Sequence, residues 1–127
     1  MTVEYLQLED LLQLASDLGD LVVRDLGLLE AAVQRPQTTL YGKEAYPGIP
    51  EKAAVLLESL TRNHALVDGN KGLGWLAVVV FLDLNGLTLE APDDDAYDLV
   101  IAASTGALDY SRVARRFAGW LAPTAES

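Results

Sequence analysis

The stretch from Arg62 to Trp75, Arg-Asn-His-Ala-Leu-Val-Asp-Gly-Asn-Lys-Gly-Leu-Gly-Trp, holds the groups from which phosphate chemistry can be built. It contains the chain's one imidazole, at His64, a carboxylate at Asp68, a turn at Gly69-Asn70 and a cation at Lys71, directly before an apolar run that begins at Leu73. A turn that opens a helix aims free backbone N–H groups and the positive end of the helix dipole outward, so Asn70, Lys71 and the residues after them, Gly72 first, can cradle an anion. Asp68 is then placed to hold magnesium, which takes one or two protein carboxylates and completes its shell with water and substrate phosphates. His64 is left as the base that accepts a proton from an attacking hydroxyl during phosphoryl transfer. Singly, each residue has a plainer reading, since a lone histidine is often a hydrogen-bonded structural residue and Asp-Gly-Asn is an ordinary turn. Base, carboxylate, turn and cation together at one helix junction point to a site.

The elements that must position this stretch follow from spacing. Apolar residues at 8, 11, 12, 15 and 18 predict a first helix over Leu8–Leu18, with Gly19 as its stop. A second, short helix spans about Leu28 to Gln34 and ends at Pro36. Thr38 to Gly48 is rich in turn residues and aromatics and reads as a loop or short extended flap. Pro50 suits a first helical turn, and Ala53, Ala54, Leu57, Leu60 and His64 follow at helical spacing to a junction near Leu66. From Asn70 to Asp83 the chain is apolar almost all round, which marks a central helix, and Asn85-Gly86 stops it. Leu87–Leu89 is a brief extended link; Asp93 caps a helix to about Ser104 that Gly106 ends. Asp109 caps the last helix, which reaches Leu121, and residues 123–127 form a frayed tail. The expectation is one all-α domain over residues 1–127, with about six helices around a central apolar one.

A formal charge of -10 argues against nucleic acid as a direct partner, because that affinity comes from Lys and Arg neutralising phosphates. The absence of cysteine leaves metal chemistry to oxygen ligands or the histidine and fits a reducing cytoplasm. The start of the chain lacks the pattern of a signal peptide, and the run from Leu73 to Leu82 is too short to span a bilayer, so the expectation is a cytoplasmic protein without a membrane partner. Of the scarce cations, Arg62 and Lys71 flank the motif, whereas Arg112, Arg115 and Arg116 read as a solvated helix face.

The run His64-Ala65-Leu66-Val67-Asp68-Gly69-Asn70-Lys71 resembles the signature His-x-Phe-x-(Asp/Glu)-(Gly/Ala)-Asn-Lys-Arg of the death-on-curing (Doc) toxins within the Fic superfamily. Glu30–Gln37, Asn85-Gly86 and Ala103–Gly106 resemble further stations of that family in the same order. Leu66 stands where phenylalanine is usual, and Gly72 where the motif arginine is expected. The resemblance implies the Fic fold and the toxin of a type II toxin–antitoxin pair, a serine/threonine kinase that transfers the γ-phosphate of ATP to a threonine of elongation factor Tu and arrests translation. It implies His64 as base, Asp68 as magnesium ligand, Gly69 and Asn70 as phosphate turn, Lys71 as phosphate cation and Arg62 as a further phosphate contact. It also implies a Phd-like antitoxin whose disordered tail folds into a groove, and a flap, here Thr38–Gly48, that takes the target segment as an added strand. Two alternatives stand beside the kinase. One is the nucleotidyl (AMP) transfer of most Fic proteins, whose motif continues Gly-Asn-Gly-Arg-x-x-Arg, where this chain has Lys71 for the glycine and Trp75 for the second arginine. The other is a non-catalytic antitoxin-binding module, because Gly72 removes a planar, two-pronged phosphate contact.

Overall fold

Residues 2–124 are described by a computed structural model, in which six α-helices are joined by short turns and two small hairpin-like pairings. In chain order these are α1 (Leu8–Gly19), α2 (Leu26–Gln34), a 3-10 turn (Arg35–Gln37), β1 (Thr39–Leu40), β2 (Lys43–Glu44), α3 (Ile49–Arg62), α4 (Asn70–Leu84), β3 (Leu87–Leu89), α5 (Asp93–Thr105), α6 (Tyr110–Trp120) and β4 (Leu121–Pro123). The predicted mostly helical class holds.

Local chemistry sets the ends. Asp25 caps α2 by accepting from the Leu28 N–H at 3.2 Å, so the helix starts two residues before the predicted position. Pro36 falls in the first turn of the 3-10 segment, where its missing N–H breaks no bond, so the coil tightens after Gln34 before it ends. Pro50 sits in the first turn of α3, as its fixed φ favours. Asp109 caps α6 through the Arg112 N–H at 3.0 Å. Asp93, expected as a cap, is instead the first helical residue of α5 behind Pro92, and with Asp94 and Asp95 it complements the helix dipole.

The predicted flap is an antiparallel hairpin with Thr39 opposite Glu44 and Leu40 opposite Lys43. At the far end the expectation of a frayed tail is corrected for Pro123 and Thr124. Leu121–Pro123 pairs antiparallel with β3, and the Thr124 N–H donates to the Gly86 carbonyl at 2.9 Å; residues 125–127 lie outside the described residues. Leu-Thr-Leu and Leu-Ala-Pro are too short to carry a period, and only their pairing reveals them as strands.

The core also shifts relative to expectation. α4 is the most uniformly apolar helix, yet the helix packed against α2, the 3-10 turn, α4, α5 and α6 is α3. Nine of the fourteen residues of α3 are buried against six of fifteen in α4, so depth here does not follow apolar content. α3 lies deep because its buried polar side chains find partners, whereas α4 leaves Val79 and Leu84 partly exposed. The two helices meet at Gly74, where a Cβ would stand 2.9 Å from Thr61 Cγ2, so only glycine permits this approach.

Candidate active site at the α3–α4 junction

α3 ends at Arg62, and the chain reaches α4 through residues 63–69, a segment fixed from one side by residues 22–25. The Arg24 and Asp25 N–H groups donate to the Ala65 carbonyl at 2.7 and 2.9 Å, the Val67 N–H donates to the Val22 carbonyl at 3.0 Å, and Val23 bridges Leu66. His64 adopts a left-handed backbone, φ +52°, uncommon for a residue with a side chain. The Arg24 guanidinium holds it there, since both Nε (2.9 Å) and Nη2 donate to the His64 carbonyl. Ala65 and Leu66 are buried as anchors, while His64, Val67 and Asp68 are exposed. Leu66, in place of phenylalanine, therefore still fills a core position.

The end of the loop is closed by Asn70, whose Oδ1 accepts from the Leu66 N–H at 3.0 Å while Nδ2 donates to the Leu66 carbonyl at 3.1 Å. This clamp leaves the Asn70 side chain bonded to the loop itself. Gly69 has φ +86°, a left-handed backbone that favours glycine, and a Cβ there would also push aside the Leu21 side chain. The first helical bond of α4 runs from the Leu73 N–H to the Gly69 carbonyl at 2.9 Å, and no side chain caps the helix. The N–H groups of Asn70, Lys71 and Gly72 thus lie ahead of the intrahelical ladder, at the positive end of the dipole. Lys71 and Gly72 are exposed there, and Asp68, just before the turn, accepts from the Gly69 N–H at 2.8 Å.

The donor set fits magnesium. Among the described residues no three His, Cys, Asp or Glu side chains converge, so a caged ion is not supported by protein ligands alone. A single carboxylate beside free N–H groups matches an ion that takes its remaining oxygens from water and phosphates. Asp68 is the residue that would hold it.

Arg62, expected beside these groups, turns elsewhere. Its Nε donates to the Ala103 carbonyl at 2.8 Å and its Nη2 to the Leu108 carbonyl at 3.3 Å, tying α3 to the α5–α6 turn, with Glu58 at 3.5 Å. Glu58 also pairs with Arg35 at 2.9 Å, and Arg35 donates to Ser59 Oγ at 3.1 Å and to the Tyr46 hydroxyl at 3.4 Å. Burial disfavours the Arg35 cation, but Tyr46 and Glu58 outweigh it and its pKa is raised. Arg35, Glu58, Ser59 and Arg62 line a polar cleft of about 560 Å³ that runs from Ala31 and Thr38 to Asn63, the residue before His64 in the chain. On the other side, a groove of about 530 Å³ starts at Lys71, Gly72 and Trp75 and continues along Val79, Tyr97 and Val100 between α4 and α5. Arg112, Arg115 and Arg116 are exposed and line a separate hollow with Leu108.

Arg24 and Lys52 are the positions that sequence reasoning passed over. Nothing periodic marks Arg24 in Val-Val-Arg-Asp-Leu. Lys52 did carry a signal, because it falls in register with Leu56 and Leu60 on the stripe that α3 buries.

With this geometry in place, residues 4–82 match the Fic/DOC family. The chain is also 50% identical over 123 residues to Toxin Doc of Mycolicibacterium smegmatis (strain ATCC 700084 / mc(2)155), an alignment that covers 94% of this chain and 95% of that protein.

Proposed function

The chain belongs to the Fic/DOC family, and on that premise we propose that it is the toxin of a type II toxin–antitoxin pair, a protein serine/threonine kinase acting on elongation factor Tu with ATP. The observation that carries this reading is the uncapped start of α4, where three N–H groups and Lys71 face outward beside Asp68 and an exposed His64 held by Arg24. The N–H groups of residues 70–72 and the Lys71 ammonium would bind the terminal phosphates. A threonine hydroxyl oxygen forms the new bond to the γ-phosphorus while the bond to the β,γ-bridging oxygen breaks; His64 accepts the hydroxyl proton, and ADP leaves with the electron pair. Magnesium bound at Asp68 would neutralise phosphate charge.

Gly72 tempers this activity. A Cβ at this position meets nothing within 4 Å, so a side chain can begin there without moving the helix. We take Gly72 to replace the motif arginine, and the loss of such a donor to a transferring phosphoryl group costs on the order of a hundred- to a thousand-fold in rate. The apolar groove between α4 and α5 is the place for a helical antitoxin tail. Its lining begins at Lys71 and Gly72, so an occupant would cover the phosphate turn, with affinity from buried apolar area.

The test is incubation of the purified chain and of Gly72→Arg with ATP, magnesium and elongation factor Tu, followed by mass analysis of the factor. Phosphorylation, faster with the variant, is expected. Attachment of AMP would favour nucleotidyl transfer, and antitoxin binding with neither product would favour the non-catalytic module.

A further inference from the structure

The β1–β2 hairpin has no means of holding itself in place. It is joined by two residue pairs, Thr39–Glu44 and Leu40–Lys43, all four of them exposed, and Leu40 and Tyr41 at its tip project into solvent. An isolated two-stranded hairpin, even one with a longer ladder, is at best marginal in water. Its position nonetheless matters to the site, because Thr38, which leads into β1, forms a wall of the polar cleft that reaches Asn63.

What fixes the hairpin is a buried charge. Lys52 of α3 is 0% exposed, and its ammonium donates to the Glu44 carboxylate in β2 at 2.9 Å, to the Pro36 carbonyl in the 3-10 turn at 3.4 Å and to the Tyr46 carbonyl beyond β2. All three donors of an ammonium are thereby engaged, on both sides of the hairpin at once. The Tyr5 ring covers it, with its centroid 5.6 Å from Nζ. Burial alone would disfavour the cation, but Glu44 and Tyr5 outweigh that penalty and raise its pKa, so Lys52 is charged throughout the physiological range. The arrangement is asymmetric, since the Lys52 side chain is 1% exposed and its counter-ion Glu44 is 52% exposed.

We infer that Lys52 is a positioning residue, a buried latch that acts through Glu44 to set the hairpin and so the wall of the cleft on the acceptor side of the site. The link from hairpin to acceptor rests on the kinase reading; the latch itself does not. The experiment is hydrogen exchange of the whole chain, comparing native protein with Glu44→Gln and with Lys52→Met, which keeps an unbranched stem one atom shorter and removes the charge. Two amides report on the hairpin, those of Thr38 and Ala45, which donate to the Arg35 and Thr38 carbonyls. Both variants are expected to speed exchange at these amides at least ten-fold and to leave the amides of α4 unchanged. Equal exchange at Thr38 and Ala45 in native and variant proteins would overturn the latch. In the same substitutions placed on Gly72→Arg, the KM for the acceptor protein should rise several-fold with the KM for ATP unchanged, whereas parallel changes in both would overturn the positioning role. The exchange arm needs no turnover, so absence of turnover in Gly72→Arg itself would count against the kinase reading and leave the exchange result to decide the latch.

Discussion

Two groups of charged residues flank the end of α3, and they differ in what their polar atoms do. On the side of the cleft, Arg35, Glu58 and Arg62 are engaged with one another, with carbonyls or with hydroxyls. At the α4 turn, His64 and Lys71 show no side-chain hydrogen bond within the described residues, and Asp68 makes one, to the neighbouring N–H. The first group is occupied within the protein, and the second is the one to which the proposed function gives a ligand. A cation close to the motif in sequence is thus not thereby part of the site. Arg62 lies two residues before His64 and serves the α5–α6 turn, whereas Arg24, far away in sequence, holds the His64 backbone.

Substitutions can break this contrast. One of the two largest expected effects is that of Gly72→Arg, which adds to the free group and should raise phosphoryl transfer by on the order of a hundred- to a thousand-fold, making expression toxic unless an antitoxin is supplied. A harmless, inactive Gly72→Arg protein that folds and binds nucleotide would refute the idea that an arginine is missing. On that background His64→Ala should lower turnover by roughly a hundred- to ten-thousand-fold with an unchanged thermal midpoint, and retained turnover would remove His64 as the base. Asp68→Ala should weaken ATP binding in magnesium and leave it unchanged in a chelator; equal weakening under both conditions would show that Asp68 does not act through the metal. The smallest effects sharpen the comparison. Lys71→Ala should alter nucleotide affinity and leave stability within about 0.5 kcal/mol. Arg62→Gln should do the reverse, losing about 1 kcal/mol in denaturant unfolding, because its side chain is about a third exposed and water replaces part of what is lost. If Arg62→Gln weakens ATP binding as much as Lys71→Ala, the division between the two groups fails.

Helix existence was legible in the sequence because α1, α3 and α6 repeat apolar residues at helical spacing and carry recognisable starts at Pro50 and Asp109. The β3–β4 pair was not, since three-residue strands acquire meaning only from a distant partner. Placing α4 at the centre followed from its composition; the buried position of α3 depends on Lys52 and Ser59 meeting Glu44 and Arg35, partners that no local pattern reveals, while Thr61 bonds back to the Leu57 carbonyl one turn earlier. At the site, the turn and its free N–H groups were readable from Asp-Gly-Asn-Lys before an apolar run. The side chain of Asn70 was not, because its bonds to both backbone groups of Leu66 arise from the loop's path in space. The same holds for the left-handed backbone of His64.

The central claim is that the free groups at the α4 turn present the γ-phosphate, and not the α-phosphate, to an acceptor hydroxyl near His64. Two parallel reactions test it, each with Gly72→Arg, magnesium and elongation factor Tu, one with ATP labelled at the γ-phosphate and one at the α-phosphate. The expected result is label on the factor from γ-labelled ATP alone, abolished by adding His64→Ala. Label from α-labelled ATP, or γ-label that survives His64→Ala, would contradict it.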